Sequence, residues 1–143
     1  MSTKPVSDTW EKKKPMPTPR VSFGFCVING KVYVIGGMNQ NFSATNGVWE
    51  YDPNQETWTQ KTNMPTIRDA FTANVINGKI YCIGGFNWAF GILPLSTYDI
   101  YDPTNDKWEN TKNMPFPIGY QSSAKLTVKT LVGVEQNERA IRN

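Results

Sequence analysis

The sequence predicts an all-β chain made of repeated four-stranded antiparallel units. Three observations predict it. One string of motifs is written twice, about 48 residues apart; Asn-Gly separates two apolar runs in each copy; and no helical periodicity runs anywhere from Trp10 to Pro117. A fixed period of this length marks a repeat architecture, in which each unit is one supersecondary element that stacks on its neighbours.

The first copy reads MPTPR at 16–20, VING at 27–30, KVYVIGG at 31–37, YDP at 51–53 and Trp58. The second reads MPTIR at 64–68, VING at 75–78, KIYCIGG at 79–85, YDP at 101–103 and Trp108. A leading Trp10 stands six residues before Met16, as Trp58 does before Met64 and Trp108 before Met114. Residues 21–28 and 69–76 are read as first strands. The Asn-Gly that follows is a strong hairpin signal, because both central residues of a two-residue turn need φ > 0. The second strand is almost wholly apolar, as a strand covered on both faces should be. The third strand, 47–53 or 97–103, ends at Asp-Pro, where proline fixes φ and withholds a donor. The fourth strand begins at Trp58 or Trp108 and is otherwise polar.

Four antiparallel strands repeated radially make a β-propeller blade. The gradient along each unit agrees. Gly24, Ala70 and Ala73 are small, as strands near a crowded axis require. Lys12, Lys13, Lys14, Lys61 and Lys112 fall on the outer strands, where charge resists edge-to-edge pairing.

These elements, NGK[VI]Y-x-IGG, YDP-x4-W and MP-x-x-R, resemble the kelch repeat over roughly residues 10–118. The resemblance implies that the double glycine, Tyr33 and Tyr81, and Trp58 and Trp108 define the fold by packing between blades. It divides the chain into a leader (1–9), a propeller segment (10–133, with blades at about 21–63 and 69–113 and a partial third at 118–133) and a polar tail (134–143). The third copy departs from the pattern after MPFP. Ile118 stands where Arg68 stood, Thr127-Val128 replaces Asn-Gly, and no further double glycine, YDP or Trp follows. Propellers usually have four to eight blades, so two cannot close a ring. The chain is therefore expected to be a fragment of a longer protein, a truncated product, or a subunit whose copies close a ring as a homo-oligomer.

Composition narrows the function. A net charge of +3, with lysines scattered over outer strands, favours a solvated edge over a nucleic-acid interface. No apolar run approaches membrane-spanning length, so no membrane partner is expected. The polar MSTKPVSDTW lacks the apolar centre of a signal peptide, which places the protein in the cytoplasm if Met1 is the true start. Asn41-Phe42-Ser43 matches a glycosylation sequon that would matter only on secretion. Cys26 and Cys82 occupy non-equivalent positions and are read as small buried residues of a reducing compartment. The chain has no histidine, which removes His-dependent nucleophilic catalysis and His-ligated metals, including the copper site of oxidases that share the kelch repeat. No cofactor and no catalytic group is expected. Asp52, Asp102 and Asp106 are read as turn residues that cap backbone amides.

What remains is a rigid scaffold carrying loops, where function concentrates. From double glycine to YDP the first unit has 13 residues and the second 15, and the later spacings are equal. The units therefore differ in the loop after the second strand. MNQNFSATN (38–46) is polar; FNWAFGILPLS (86–96) is apolar. Candidate partner-binding residues are Asn39 and Asn41 in the first loop, Phe86, Trp88 and Phe90 in the second, and Arg20 and Arg68, which could pair with a partner carboxylate. The competing expectations are that the apolar loop packs on the scaffold and that the arginines serve the blade. The kelch resemblance implies a protein–protein interaction module with a protein or peptide partner. An alternative is a carbohydrate-binding or sugar-isomerising enzyme, since some kelch propellers isomerise sialic acids, with Trp88, Phe90 and Arg68 as its candidates. A non-functional truncated propeller is the third expectation.

Overall fold

The computed structural model describes residues 8–88, 91 and 93–119. It contains two antiparallel sheets. The first has strands β1 (Gly24–Ile28), β2 (Lys31–Ile35), β3 (Val48–Asp52) and β4 (Thr57–Lys61), in that spatial order. The second has β5 (Thr72–Ile76), β6 (Lys79–Ile83), β7 (Thr97–Asp102) and β8 (Lys107–Trp108), with β9 (Lys112–Asn113) also paired to β7. Strand order follows chain order in both, as in a propeller blade.

The Asn-Gly turns behave as the sequence predicts. Asn29 and Gly30 have φ of 51° and 75°, Asn77 and Gly78 of 50° and 76°. These fix the registers Ile28↔Lys31 and Ile76↔Lys79. The first strands are shorter than expected. Residues 21 and 69 lie outside them and form single bridges to the next loop, Val21 with Met38 and Asp69 with Phe86. In the second blade the fourth strand is broken between β8 and β9, where Thr111 turns its hydroxyl onto Asp99.

The blades meet through one shared core. Ile28, Tyr33, Ile35 and Val48 of the first unit pack with Met64, Phe71, Ile80, Cys82 and Tyr101 of the second. Burying such a cluster, at about 25 cal/mol per Å² of apolar surface, is what holds blade to blade. The first and second strands need small residues at this seam: a Cβ on Gly24 would stand 2.5 Å from the Phe71 ring, and one on Gly36, whose φ is +61°, 2.6 Å from the Arg68 carbonyl.

Polar links repeat with the blades. Trp108 donates its indole N–H to Thr62 O at 2.9 Å, and Trp58 donates to Lys14 O at 3.0 Å. The leading segment thus supplies to the first blade the acceptor that the first blade supplies to the second. Asp106 does more than cap its turn, as it accepts from Tyr101 Oη at 2.6 Å and from the Thr62 N–H at 2.9 Å, tying the blades together. Asp52 and Asp102 take the expected turn role, accepting from the N–H groups of Asn54 and Thr104 at 2.9 and 3.0 Å.

Cys26 is half-buried and Cys82 buried, both as free thiols. Phe25 and Val27 are 64% and 59% exposed, although their counterparts Ala73 and Val75 pack against the shared core. At the far end, Gly85 donates to Ile118 O as Gly37 does to Arg68 O, so the third repeat begins where a next blade would start. Its remaining strand pair, the polar tail 134–143 and residues 1–7 of the leader lie outside the described residues.

Candidate partner-binding rim

Antiparallel topology sorts the loops. The Asn-Gly hairpins and Asp-Pro turns lie at one end of the strands. The loops after β2 and β6, and the segments entering the first strands, lie at the other. That second end holds every candidate among the described residues.

The two arginines have different surroundings. Arg68 is 0% exposed. Its Nη1 donates to Gly84 O at 2.7 Å and Thr97 O at 2.9 Å, and its Nη2 to Asp99 Oδ2 at 2.8 Å and Thr97 Oγ1 at 3.2 Å. Asp99 is equally buried, and its second oxygen accepts from Thr111. The expectation that Arg68 meets a partner is therefore corrected. The guanidinium is consumed by the end of its own blade, where β6 and β7 leave carbonyls to be satisfied. Arg20 makes the same backbone contacts, to Gly36 O at 2.9 Å and Gly47 O at 3.2 Å. Trp49, however, stands where Asp99 would be, so the carboxylate is missing. Arg20 is only half-buried, and desolvation lowers its pKa.

Phe86 is also corrected. It is buried, bridges Asp69 and Pro94, and packs against Gly119, so it holds the loop down instead of facing outward. Asn39 organises its own loop, its Oδ1 accepting from the N–H groups of Asn41 and Ser43 at 2.9 and 3.1 Å. Asn41 is exposed at the turn. Phe90 lies outside the described residues.

Trp88 is half-buried. Its ring stacks on Phe86 at 4.8 Å between centroids and 7° between planes, and its Nε1–H donates to Asp69 Oδ2 at 3.0 Å. With Asn87, Ile67, Phe42, Ser43 and Ala44 it lines a cleft of about 300 Å³ between the two variable loops. Phe42 is 80% exposed beside it. The wall thus comes from one variable loop of each blade, with Ile67 of the intervening segment between them.

Asp69 carries no motif of its own. It is 2% exposed, and its Oδ1 has no hydrogen-bond partner among the described residues. Burial raises its pKa, against the opposing effect of the Trp88 N–H. The repeat itself carries the missed signal: Asp69 stands where the first copy has Val21, and Asp99 where it has Trp49. An acid at a position that is apolar in the sister repeat is specific to the second blade; Asp99 is spent on Arg68, which leaves Asp69 as the one without an ion-pair partner among the described residues.

Two arginine-anchored blades, joined by a tryptophan-to-carbonyl link and a shared apolar seam, define a segment of a β-propeller. Comparison with known proteins fixes the family. Residues 3–137 match the KLHDC2/KLHL20/DRC7 Kelch-repeats domain, and the chain belongs to this kelch-repeat family. It is 37% identical over 49 residues to Kelch-like protein 35 of Mus musculus, covering 34% of this chain and 8% of that protein. It is 49% identical over 37 residues to Kelch-like protein 28 of Homo sapiens, covering 26% of this chain and 6% of that protein. The chain thus spans less than a tenth of the length of these relatives. Among solved structures, that of YjhT superposes with a TM-score of 0.68 at 21% identity, covering 78% of this chain and 43% of that one. At this identity the likeness concerns the fold alone. Among the described residues no helix is long and apolar enough to cross a membrane, and no group of three or more His, Cys, Asp or Glu is placed to hold a metal.

Proposed function

We infer that this pair of blades is a protein–protein interaction module whose binding surface is the rim cleft between loops 38–46 and 86–96. One observation carries the reading. The cleft is walled by the two loops in which the otherwise matching repeats differ, and it presents Phe42 and Trp88 beside polar Ser43 and Asn87. Aromatic anchors with a polar surround are the usual composition of a binding hot spot. Asn41 extends the same rim.

Binding needs no chemistry from the protein, and the described residues that line the cleft include no nucleophile–base pair. The sugar-active alternative, built on Trp88, Phe90 and Arg68, loses its cation because Arg68 is buried in its blade. Self-assembly into a ring would use a different surface, the exposed Phe25 and Val27; it predicts multiples of the chain mass that vanish with Phe25→Glu.

The test is selection of binders from a displayed peptide library on the purified chain, beside a glycan array. Selected peptides should lose binding to an Asn41→Ala, Phe42→Ala, Trp88→Ala variant. They should keep it with an Asn54→Ala, Thr104→Ala variant altered at the opposite rim. Glycan binding that depends on Trp88, or peptide binding indifferent to the rim variant, overturns the reading.

A further inference from the structure

We propose that the rim cleft takes a cationic side chain, arginine in the first place, from its partner, seated on the indole of Trp88 with Asp69 at the N–H edge of the ring. The proposal rests on the interaction reading above and specifies the chemistry of the partner.

The argument starts from how Trp88 is held. One face of its indole is covered by the Phe86 ring, and its N–H is engaged by Asp69 Oδ2. The ring cannot turn without breaking both contacts, so the surface it gives to the cleft is fixed in advance. An indole face carries negative electrostatic potential and is the best of the aromatic platforms for a cation. Donating the N–H to a carboxylate pushes further electron density into the ring. Phe42, 80% exposed and on the cleft lining contributed by the other blade, offers a second aromatic surface. A flat guanidinium suits such walls better than an ammonium, because it stacks as well as attracts.

Charge points the same way. Asp69 is a buried carboxylate with no cation paired to it among the described residues, and one of its oxygens lacks a hydrogen bond. Its neighbour Arg68 is already committed to Asp99. The site therefore has an unbalanced negative group in a poorly solvated position, where an arriving positive charge gains most. The other candidate cleft, lined by Lys31, Lys61, Tyr33 and Glu50 at the opposite rim, has no such imbalance, since Glu50 already accepts from Tyr33 and lies beside both lysines.

The experiment is a titration of the ¹⁵N-labelled chain with three capped tripeptides, Ac-Gly-Arg-Gly-NH₂, Ac-Gly-Glu-Gly-NH₂ and the norleucine analogue. The readout is the Trp88 indole N–H resonance, assigned by its loss in Trp88→Phe. The arginine peptide should shift this peak saturably, with apparent affinity at least five-fold above the other two. Asp69→Asn, which keeps an acceptor but removes the charge, should weaken binding several-fold; Phe42→Ala, at an exposed position that does not threaten folding, should do so as well. Dispersion of the remaining peaks shows that each variant is folded. A peak moved equally by norleucine or better by glutamate overturns the cationic assignment while leaving the rim as a binding surface. No movement with any peptide also overturns it, whereas the rim reading stands or falls separately on the peptide selection. An unchanged arginine affinity in both variants removes the proposed seat.

Discussion

Arg68 and Arg20 form an internal experiment, because they occupy the same repeat position and differ in one partner. Truncating Arg68 to alanine leaves Asp99 buried and unpaired, and withdraws the donor shared by Gly84 O and Thr97 O. Breaking a buried pair from one side costs about 3–5 kcal/mol. Asp99→Ala should fall in the same range, since it strands a guanidinium that is 0% exposed. Arg20→Ala removes only two carbonyl contacts from a half-buried group, so a cost of about 1–2 kcal/mol is expected. The difference is large against a total domain stability of about 5–15 kcal/mol. Replacing both partners, as Arg68→Ala with Asp99→Ala, removes the unpaired charge but orphans two carbonyls. The double variant should therefore resemble the single ones, so the coupling should be about as large as one single cost, about 3–5 kcal/mol. Urea unfolding followed by tryptophan fluorescence measures all four variants against the wild-type chain. Equal costs for Arg20→Ala and Arg68→Ala, or an additive cycle, would refute the claim that the second blade alone is closed by a buried ion pair.

Three further outcomes are expected. Burial pushes the Cys26 thiol up to about 12 and the Cys82 thiol well above its ordinary value. Both stay protonated in the fold while the unfolded thiols ionise, so stability should fall above about pH 9, by about 1.4 kcal/mol per pH unit per thiol. Urea midpoints from pH 7.5 to 10.5 should fall more steeply than in a Cys26→Ala, Cys82→Ala chain. For Asp106, burial alone would raise the carboxyl, but the Tyr101 and Thr62 hydrogen bonds outweigh it and hold its pKa below the ordinary value. Its contribution is thus present above the unfolded pKa and lost as pH falls through the folded one. The stability gap between the wild-type chain and Asp106→Asn, read by urea unfolding, should close on acidification toward pH 3. Gly78 and Gly85 separate backbone strain from collision. Both have positive φ, but a Cβ on Gly78 meets nothing within 4 Å, whereas one on Gly85 would stand 2.4 Å from Asp69 O. Gly78→Ala should cost about 1–2 kcal/mol, and Gly85→Ala about 1–3 kcal/mol more in the same assay.

The sequence by itself determined the blades. Asn-Gly, the double glycine and Asp-Pro act through local backbone geometry, and their repetition at a fixed spacing is visible without knowing what packs on what. Hence the hairpins, the strand order and the kelch resemblance all hold in the structure. The units diverge in the loops after the second strands, and this too is legible in the sequence, because a difference in length is a property of the chain alone. Only the tertiary structure decided what each candidate does. Arg20 and Arg68 read alike in sequence, yet Asp99 comes from a strand 31 residues away and closes on Arg68 alone. Phe86 and Trp88 are two residues apart in one apolar loop, yet the bridge to Asp69 buries the first and turns the second to the cleft. Phe42 gains its meaning from a tryptophan on the next blade. Burial, charge pairing and the joining of two loops into one cleft are non-local, and local patterning carries no record of them.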